Sequence, residues 1–155
     1  MVTYAILANP GHNRVYFDAS RNLSLSELTI AGKAFSTVCE NFRREEIEGI
    51  PYYMMDAAET LSRREVGILS RLSFCYAIFT AETSKNGEKI LRPVSKVDEA
   101  FFPPSVSSIL KYSGKTNELF TRTMLNAALY SSDFLGEGER IRLLDPISGK
   151  ACLRL

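Results

Sequence analysis

Two kinds of hydrophobic pattern alternate along the first 92 residues of this chain, short apolar runs and apolar residues at helical spacing. The short runs are rich in aromatic and β-branched residues, which is typical of strands. They predict strands at 4–8, 15–17, 41–47, 50–55, 74–81 and 88–92. Apolar residues three or four positions apart follow Ser24 and Ser62, which indicates a helix after each serine.

Both predicted helices are preceded by the same motif, S-x-x-E. In a capping box the serine and glutamate side chains accept hydrogen bonds from free backbone N–H groups at the start of a helix. The motif at Ser24–Glu27 therefore predicts a helix over about Leu25–Thr37, and the motif at Ser62–Glu65 predicts a second helix. The apolar stripe of that second helix consists of Val66, Ile68, Leu69 and Leu72.

The resulting order, β(β)αββαββ, predicts an α+β fold of the ferredoxin-like, split βαβ type, with two helices on one face of an antiparallel sheet. The pattern changes after residue 113, where a long helix over Glu118–Ser131 and a short strand over Ile141–Leu144 are predicted. We place the domain boundary between Val94 and Ser108. The predicted units are a ferredoxin-like domain at 1–100 and a second unit at 101–155.

Charge and cysteine content limit the possible functions. The chain has 19 basic and 18 acidic residues, so any contact with RNA requires a local basic patch rather than a basic protein. Three widely spaced cysteines, Cys39, Cys75 and Cys152, fit neither a disulfide framework nor a zinc site, so no metal is expected. Without a signal peptide or membrane span in the sequence, a cytoplasmic location is expected.

The candidate RNA-facing surface lies around the last predicted hairpin. Basic side chains occur there next to a strand that carries Tyr76 and Phe79, and basic residues with aromatic residues between them are typical of RNA contacts. The basic candidates are Lys85, Lys89, Arg92 and Lys96. No catalytic residue is predicted, because the single histidine, His12, has no nucleophile or carboxylate partner in its segment.

Two segments of the second unit carry residues suited to an anionic or nucleotide-like ligand. Thr116 or Asn117 caps the predicted long helix, and its first N–H groups with Lys115 favour an anion, although capping alone also explains these residues. The predicted strand at 141–144 runs into Asp145-Pro146 and Gly149, as strands do where Rossmann-like sheets begin a cofactor loop. An ordinary surface turn is the alternative, since D-P and S-G are common turn dipeptides.

Three stretches together resemble bacterial S-adenosylmethionine-dependent RNA methyltransferases, and are similar to the tRNA guanine-N2 methyltransferases associated with THUMP domains. They read YAILANPGHNRVYF at 4–17, SGKTNELFTRTMLNAAL at 113–129 and RLLDPISGK at 142–150. The resemblance implies an RNA-recognition region followed by a Rossmann-like domain that starts with the predicted helix and strand of the second unit. It further implies that S-adenosylmethionine contacts Asp145, Pro146 and Gly149, with Lys115, Thr116 and Asn117 as further cofactor candidates.

The chain departs from this family in two places. Ala151 and Cys152 stand where the cofactor loop has Gly and Ser or Thr, and a Cβ at 151 would crowd the cofactor. The family's catalytic D-P-P-Y motif is absent from the sequence. We therefore expect the N-terminal part of a larger enzyme, inactive alone, with 151–155 as an aberrant tail such as a frameshift produces. The alternative is a stand-alone ferredoxin-like module that binds RNA or protein, and the helix at 118–131 is a candidate homodimer contact.

Overall fold

The computed structural model describes residues 1–9, 17–97, 118–132 and 144. These residues form an α+β fold in which three helices accompany a five-stranded antiparallel sheet. The strands are β1 (Val2–Ala8), β2 (Cys39–Ile47), β3 (Ile50–Ala57), β4 (Cys75–Thr83) and β5 (Lys89–Val94). The helices are α1 (Phe17–Lys33), α2 (Arg63–Ser70) and α3 (Glu118–Tyr130). Within these ranges no helix is both long and apolar enough to cross a membrane.

The strand order in the sheet is β2-β3-β1-β4-β5. Strand β3 lies between β1 and β2, and β1 lies between β3 and β4, so α1 and α2 each connect two strands that are separated by a third. Strand β2 turns into β3 through Glu48 and Gly49, both with positive φ (49° and 77°), as a two-residue hairpin turn of type I′ requires. From β1 to β5, the described strands and helices follow the predicted order.

Helix α2 begins where its sequence predicts. Ser62 has extended backbone angles, and its hydroxyl accepts a hydrogen bond from the Glu65 N–H at 3.3 Å. In return, the Glu65 carboxylate accepts one from the Ser62 N–H at 2.7 Å. The predicted capping box at Ser62–Glu65 is therefore confirmed.

Helix α1 differs from its prediction at both ends. It runs from Phe17 to Lys33 rather than from Leu25 to Thr37, so Ser24 and Glu27 lie inside the helix and the predicted capping box there is wrong. The physical reason is that Glu27 is buried, 1% exposed, and binds groups outside its own helix. Phe17, predicted to end a strand, is the first residue of the helix.

The main hydrophobic core lies between one face of the sheet and the helices. Alternate residues of a strand point to opposite faces, and Tyr4 and Ile6 of β1 point to the helices with at most 1% of their surface exposed. Burying one side chain of this size contributes about 1.5–3 kcal/mol to stability. Other buried members of this core are Leu28, Tyr53, Met55, Leu69, Phe74 and Ile78, and α3 adds Tyr130.

The opposite face of the sheet forms a smaller cluster around Ala5, Tyr52 and Met54. The Tyr52 ring meets the Phe79 ring edge to face, with ring centroids 6.2 Å apart. Strands β2 and β5 are the two edges of the sheet, yet Glu45 on β2 and Lys89 on β5 form an ion pair at 3.1 Å. The sheet is therefore strongly coiled, so that its two edges approach each other over this face.

Several predictions fall partly or wholly outside the described residues. These are the start of the strand at 15–17, the boundary loop, the start of the second unit and the terminal strand. Leu144 is 87% exposed and lies outside regular secondary structure. The domain division at residue 100 stays a prediction, although α3 buries Tyr130 in the core that the sheet forms with α1 and α2.

Candidate nucleic-acid interface

The structure does not bring the four predicted basic residues onto one surface. Lys89 and Arg92 are three residues apart on β5 and therefore point to opposite faces of the sheet. Lys89 pairs with Glu45 on the face of the sheet that carries Tyr52 and Met54, which we call the coiled face. Arg92 pairs with Glu82 at 3.4 Å. Lys85 lies in the turn that precedes β5, whereas Lys96 follows the other end of that strand.

Lys96 lies at the start of β4, next to an exposed aromatic residue. Its ammonium group donates hydrogen bonds to the backbone oxygens of Cys75, at 3.1 Å, and Tyr76, at 3.5 Å. Tyr76 is 58% exposed. A positive charge and an accessible aromatic ring are therefore adjacent at this end of the sheet.

Two arginines from different parts of the chain lie near the same strand end. Arg71 is the C-cap of α2, and its backbone oxygen accepts a hydrogen bond from the Asn126 side chain of α3 at 3.0 Å. Arg122 lies one helical turn before Asn126 and is partly exposed, whereas Arg71 is exposed. We call the group formed by Arg71, Tyr76, Lys96 and Arg122 the basic surface.

The charges of these cations act on two neighbouring groups, the half-buried Cys75 thiol and the buried Tyr130 hydroxyl. Burial raises the pKa of the Cys75 thiol to about 11, and the charges of Lys96 and Arg122 act against this rise. Burial also raises the pKa of Tyr130 to about 12, helped by the charge of Glu27 and opposed by Arg71 and Arg122. The charge of Arg122 therefore acts on both groups, whereas the charge of Lys96 acts on Cys75 and that of Arg71 acts on Tyr130.

A buried polar network lies beneath the basic surface. One carboxylate oxygen of Glu27 accepts hydrogen bonds from the Ser73 N–H at 2.9 Å and from the Asn126 side chain at 2.6 Å. The other oxygen accepts one from the Ser73 hydroxyl at 2.5 Å, and Thr123 lies 2.8 Å from that hydroxyl. Each of these four residues is at most 9% exposed. The network fixes α3 against α1 and against the turn between α2 and β4.

The coiled face of the sheet is less suited to nucleic acid. Tyr52 is only 7% exposed and its ring already packs on Phe79, so a base cannot stack on it without displacing that contact. At the rim, Asp56 accepts hydrogen bonds from Thr3 at 2.8 Å and from Arg43 at 3.1 Å. Burial tends to raise the pKa of Asp56, but these hydrogen bonds, one from Asn41 and the charge of Arg43 outweigh it and lower the pKa.

Metal ligation and thiol reactivity are the other chemistries to consider in the described residues. Among them, no group of three or more His, Cys, Asp or Glu side chains could hold a metal ion. Burial raises the pKa of the Cys39 thiol to about 11, as it does for Cys75, so both thiols are poor nucleophiles at neutral pH. The cofactor candidates Asp145, Pro146, Gly149, Lys115, Thr116 and Asn117 lie outside the described residues.

Two residues of the basic surface, Lys96 and Tyr76, belong to the surface that the sequence predicts. Arg71 and Arg122 do not, because they are 51 positions apart in the sequence. The one available signal is Thr123 and Asn126, two polar residues three apart and so on one face of the predicted helix, which indicate a polar contact.

No family model, no curated protein and no solved structure matches this chain. The function of the basic surface is therefore argued from the chemistry of its own residues.

Proposed function

We propose that the described residues belong to the RNA-recognition region of an S-adenosylmethionine-dependent RNA methyltransferase whose cofactor loop begins at Asp145. The observation that carries this proposal is the basic surface, where Lys96 lies against the backbone of the exposed Tyr76 and two arginines lie near the same strand end. One of these cations, Arg122, is on α3, the helix that precedes the R-L-L-D-P-I-S-G-K motif in the sequence. The strand order β2-β3-β1-β4 supports the ferredoxin-like assignment, with β5 as an added edge strand.

The basic surface suits a single-stranded or looped RNA. Arginine and lysine side chains neutralise phosphates and so position the backbone, without reading the sequence. An exposed tyrosine offers its ring to an unstacked base, which is how proteins commonly hold single-stranded RNA. Because the net charge of the chain is only +1, this attraction is local to the surface.

In the proposed enzyme, S-adenosylmethionine supplies the methyl group that is transferred to an exocyclic nitrogen of a base, in a tRNA by the resemblance. The role of the residues described here is to bind and orient the RNA. Asp145, Pro146 and Gly149, with Lys115, Thr116 and Asn117, remain the proposed cofactor contacts. Since the sequence lacks the D-P-P-Y motif, we expect no methyl transfer by this chain alone.

A stand-alone RNA-binding module is the second candidate function. It is favoured by the packing of α3, which shares one hydrophobic core with the sheet and places Asn126, 5% exposed, against α1. Since α3 has this partner within the chain, it does not need a second copy to bury its apolar face. Met124, 48% exposed, is a large apolar residue of α3 that stays accessible for a homodimer contact.

The proposal is tested by fluorescence anisotropy with a labelled tRNA and a labelled poly(U) at several salt concentrations. We expect Arg122→Ala to weaken binding and to reduce the slope of log K against log salt by about 0.7, the value for one lost contact with single-stranded phosphate. Tyr76→Ala should weaken binding about fivefold or more without changing this slope, because stacking involves no counterion release.

Lys85→Ala is the matched control, because Lys85 is an exposed cation like those of the basic surface but lies in the β4–β5 turn, away from that surface. It should leave both affinity and slope unchanged. An equal loss in Lys85→Ala, or no binding of either RNA by the unaltered chain, would contradict the proposal. Calorimetry with S-adenosylmethionine separates the two candidates: RNA binding without cofactor binding favours the stand-alone module.

A further inference from the structure

Glu27 joins three parts of the chain that are far apart in the sequence. It lies on α1, and its carboxylate binds Ser73, 46 residues later, and Asn126, 99 residues later. Only 1% of Glu27 is exposed, so bulk water has little access to these hydrogen bonds. A buried carboxylate is costly unless several donors compensate it, and here three N–H and O–H groups converge on its two oxygens.

Both partners of Glu27 lie directly beneath the basic surface. Ser73 is in the turn that begins at Arg71, and Asn126 is one helical turn after Arg122. The Asn126 side chain also donates to the backbone oxygen of Arg71, so a single amide group connects Glu27, α3 and the end of α2. The relative position of Arg71 and Arg122 thus depends on where Glu27 holds Asn126.

We propose that Glu27 is a positioning residue that assembles the basic surface from two separate segments, by docking α3 onto the turn between α2 and β4. The part of this proposal that concerns RNA binding rests on the proposed function. The docking itself does not, because it concerns only contacts within the chain.

Two substitutions of Glu27 distinguish the contribution of its hydrogen bonds to docking from the contribution of its charge. In Glu27→Ala, the Ser73 N–H and the Asn126 amide lose their shared acceptor and stay buried. In Glu27→Gln, the amide oxygen can still accept from both groups, and the amide NH2 can donate to the Ser73 hydroxyl, which is also an acceptor. We therefore expect glutamine to preserve docking and alanine to abolish it.

Hydrogen exchange of the 155-residue chain, read by mass spectrometry, tests the docking. In Glu27→Ala, exchange of the amides in 118–130 should accelerate at least tenfold more than exchange of the amides in β1 and β3, which the overall loss of stability also affects. Glu27→Gln should restore most of the protection. Glu65→Ala is the matched control, because Glu65 is also buried, 4% exposed, but binds Ser62 and Thr37 rather than α3. Unchanged α3 protection in Glu27→Ala, or an equal loss in the sheet, would overturn the proposal.

RNA affinity tests the positioning. Glu27→Ala should reduce the salt slope of RNA binding as much as Arg122→Ala does, and the double variant should lose no more than either single variant. If the unaltered chain binds RNA and Glu27→Ala keeps the full slope, the positioning role is refuted and the proposed function stands. If the unaltered chain binds no RNA, the proposed function fails, and hydrogen exchange decides whether Glu27 docks α3.

Discussion

Two glutamates of this chain occur in the same S-x-x-E motif and are both buried, yet the fold uses them differently. Glu65 accepts a hydrogen bond from the N–H of Ser62 in its own motif, at 2.7 Å, and another from the N–H of Thr37 at 2.8 Å. Glu27 accepts hydrogen bonds from Ser73 and Asn126, on other segments of the chain. One motif is thus a helix cap, and the other is the centre of a contact between helices.

The difference shows what a capping motif does and does not determine. Both glutamates tie a helix to another part of the fold: Glu65 joins the start of α2 to the segment before β2, and Glu27 joins α1 to α3. Where a helix starts at the serine, the glutamate can turn back to free N–H groups. Where the helix has started earlier, as α1 does at Phe17, those N–H groups are already bonded and the carboxylate must find other donors.

The largest expected effect is on stability, measured by urea unfolding at neutral pH. Glu27→Ala leaves several buried donors without an acceptor, and should lower the free energy of unfolding by about 3 kcal/mol. Glu65→Ala should cost about 2 kcal/mol, because Ser62 is exposed and water can replace part of the lost bonding. A larger loss for Glu65→Ala than for Glu27→Ala would contradict the ranking of the two contacts.

The features that sequence predicted correctly are those determined by neighbouring residues. The separation of the strands predicted at 41–47 and 50–55, and the start of α2 at Ser62, depend on groups at most three positions apart, which a local motif contains. The start of α1 differs from its prediction because Glu27 does not cap the helix, and its partners are 46 and 99 residues away. No short segment of the sequence contains both Glu27 and these partners.

The residues of the candidate interface also divide into those that neighbouring sequence predicts and those that it does not. Lys96 and Tyr76 are predicted members because both lie close in sequence to the predicted hairpin. Arg71 and Arg122 are not, since contacts between distant segments, such as the hydrogen bond from Asn126 to the Arg71 backbone oxygen, bring α3 to the end of α2. The alternation of side chains along β5 also separates Lys89 from Arg92, which are close in sequence.

The capping glutamate should also make stability depend on pH in the acid range. Burial tends to raise the pKa of Glu65, but hydrogen bonds from Thr37 and Ser62 outweigh it, so its pKa in the folded protein is lowered. A lowered pKa means that the ionised form stabilises the fold. This stabilisation is complete above the unfolded-state pKa, about 4.3, and is lost as the pH falls further through the folded-state value.

We therefore expect the free energy of unfolding to decrease between pH 5 and pH 3, and to decrease less in Glu65→Gln than in the unaltered chain. Asp56, whose pKa is also lowered, should account for part of the remaining slope, and Asp56→Asn in the Glu65→Gln background should flatten it further. Urea unfolding at half-unit pH steps measures both slopes. Identical slopes in the unaltered chain and in Glu65→Gln would show that the Glu65 hydrogen bonds do not favour its ionised form.

The smallest effect concerns the two serines, and it distinguishes a helix cap from a helix interior most directly. Ser62→Ala removes the cap of α2 and should cost about 1 kcal/mol in urea unfolding. Ser24 lies inside α1 and is 3% exposed, where alanine is of similar size and has the better helix propensity. Ser24→Ala should therefore change stability by less than about 0.5 kcal/mol in either direction. An equal cost for both substitutions would mean that α1 starts at Ser24 in solution, which would restore the capping box that the sequence predicts there.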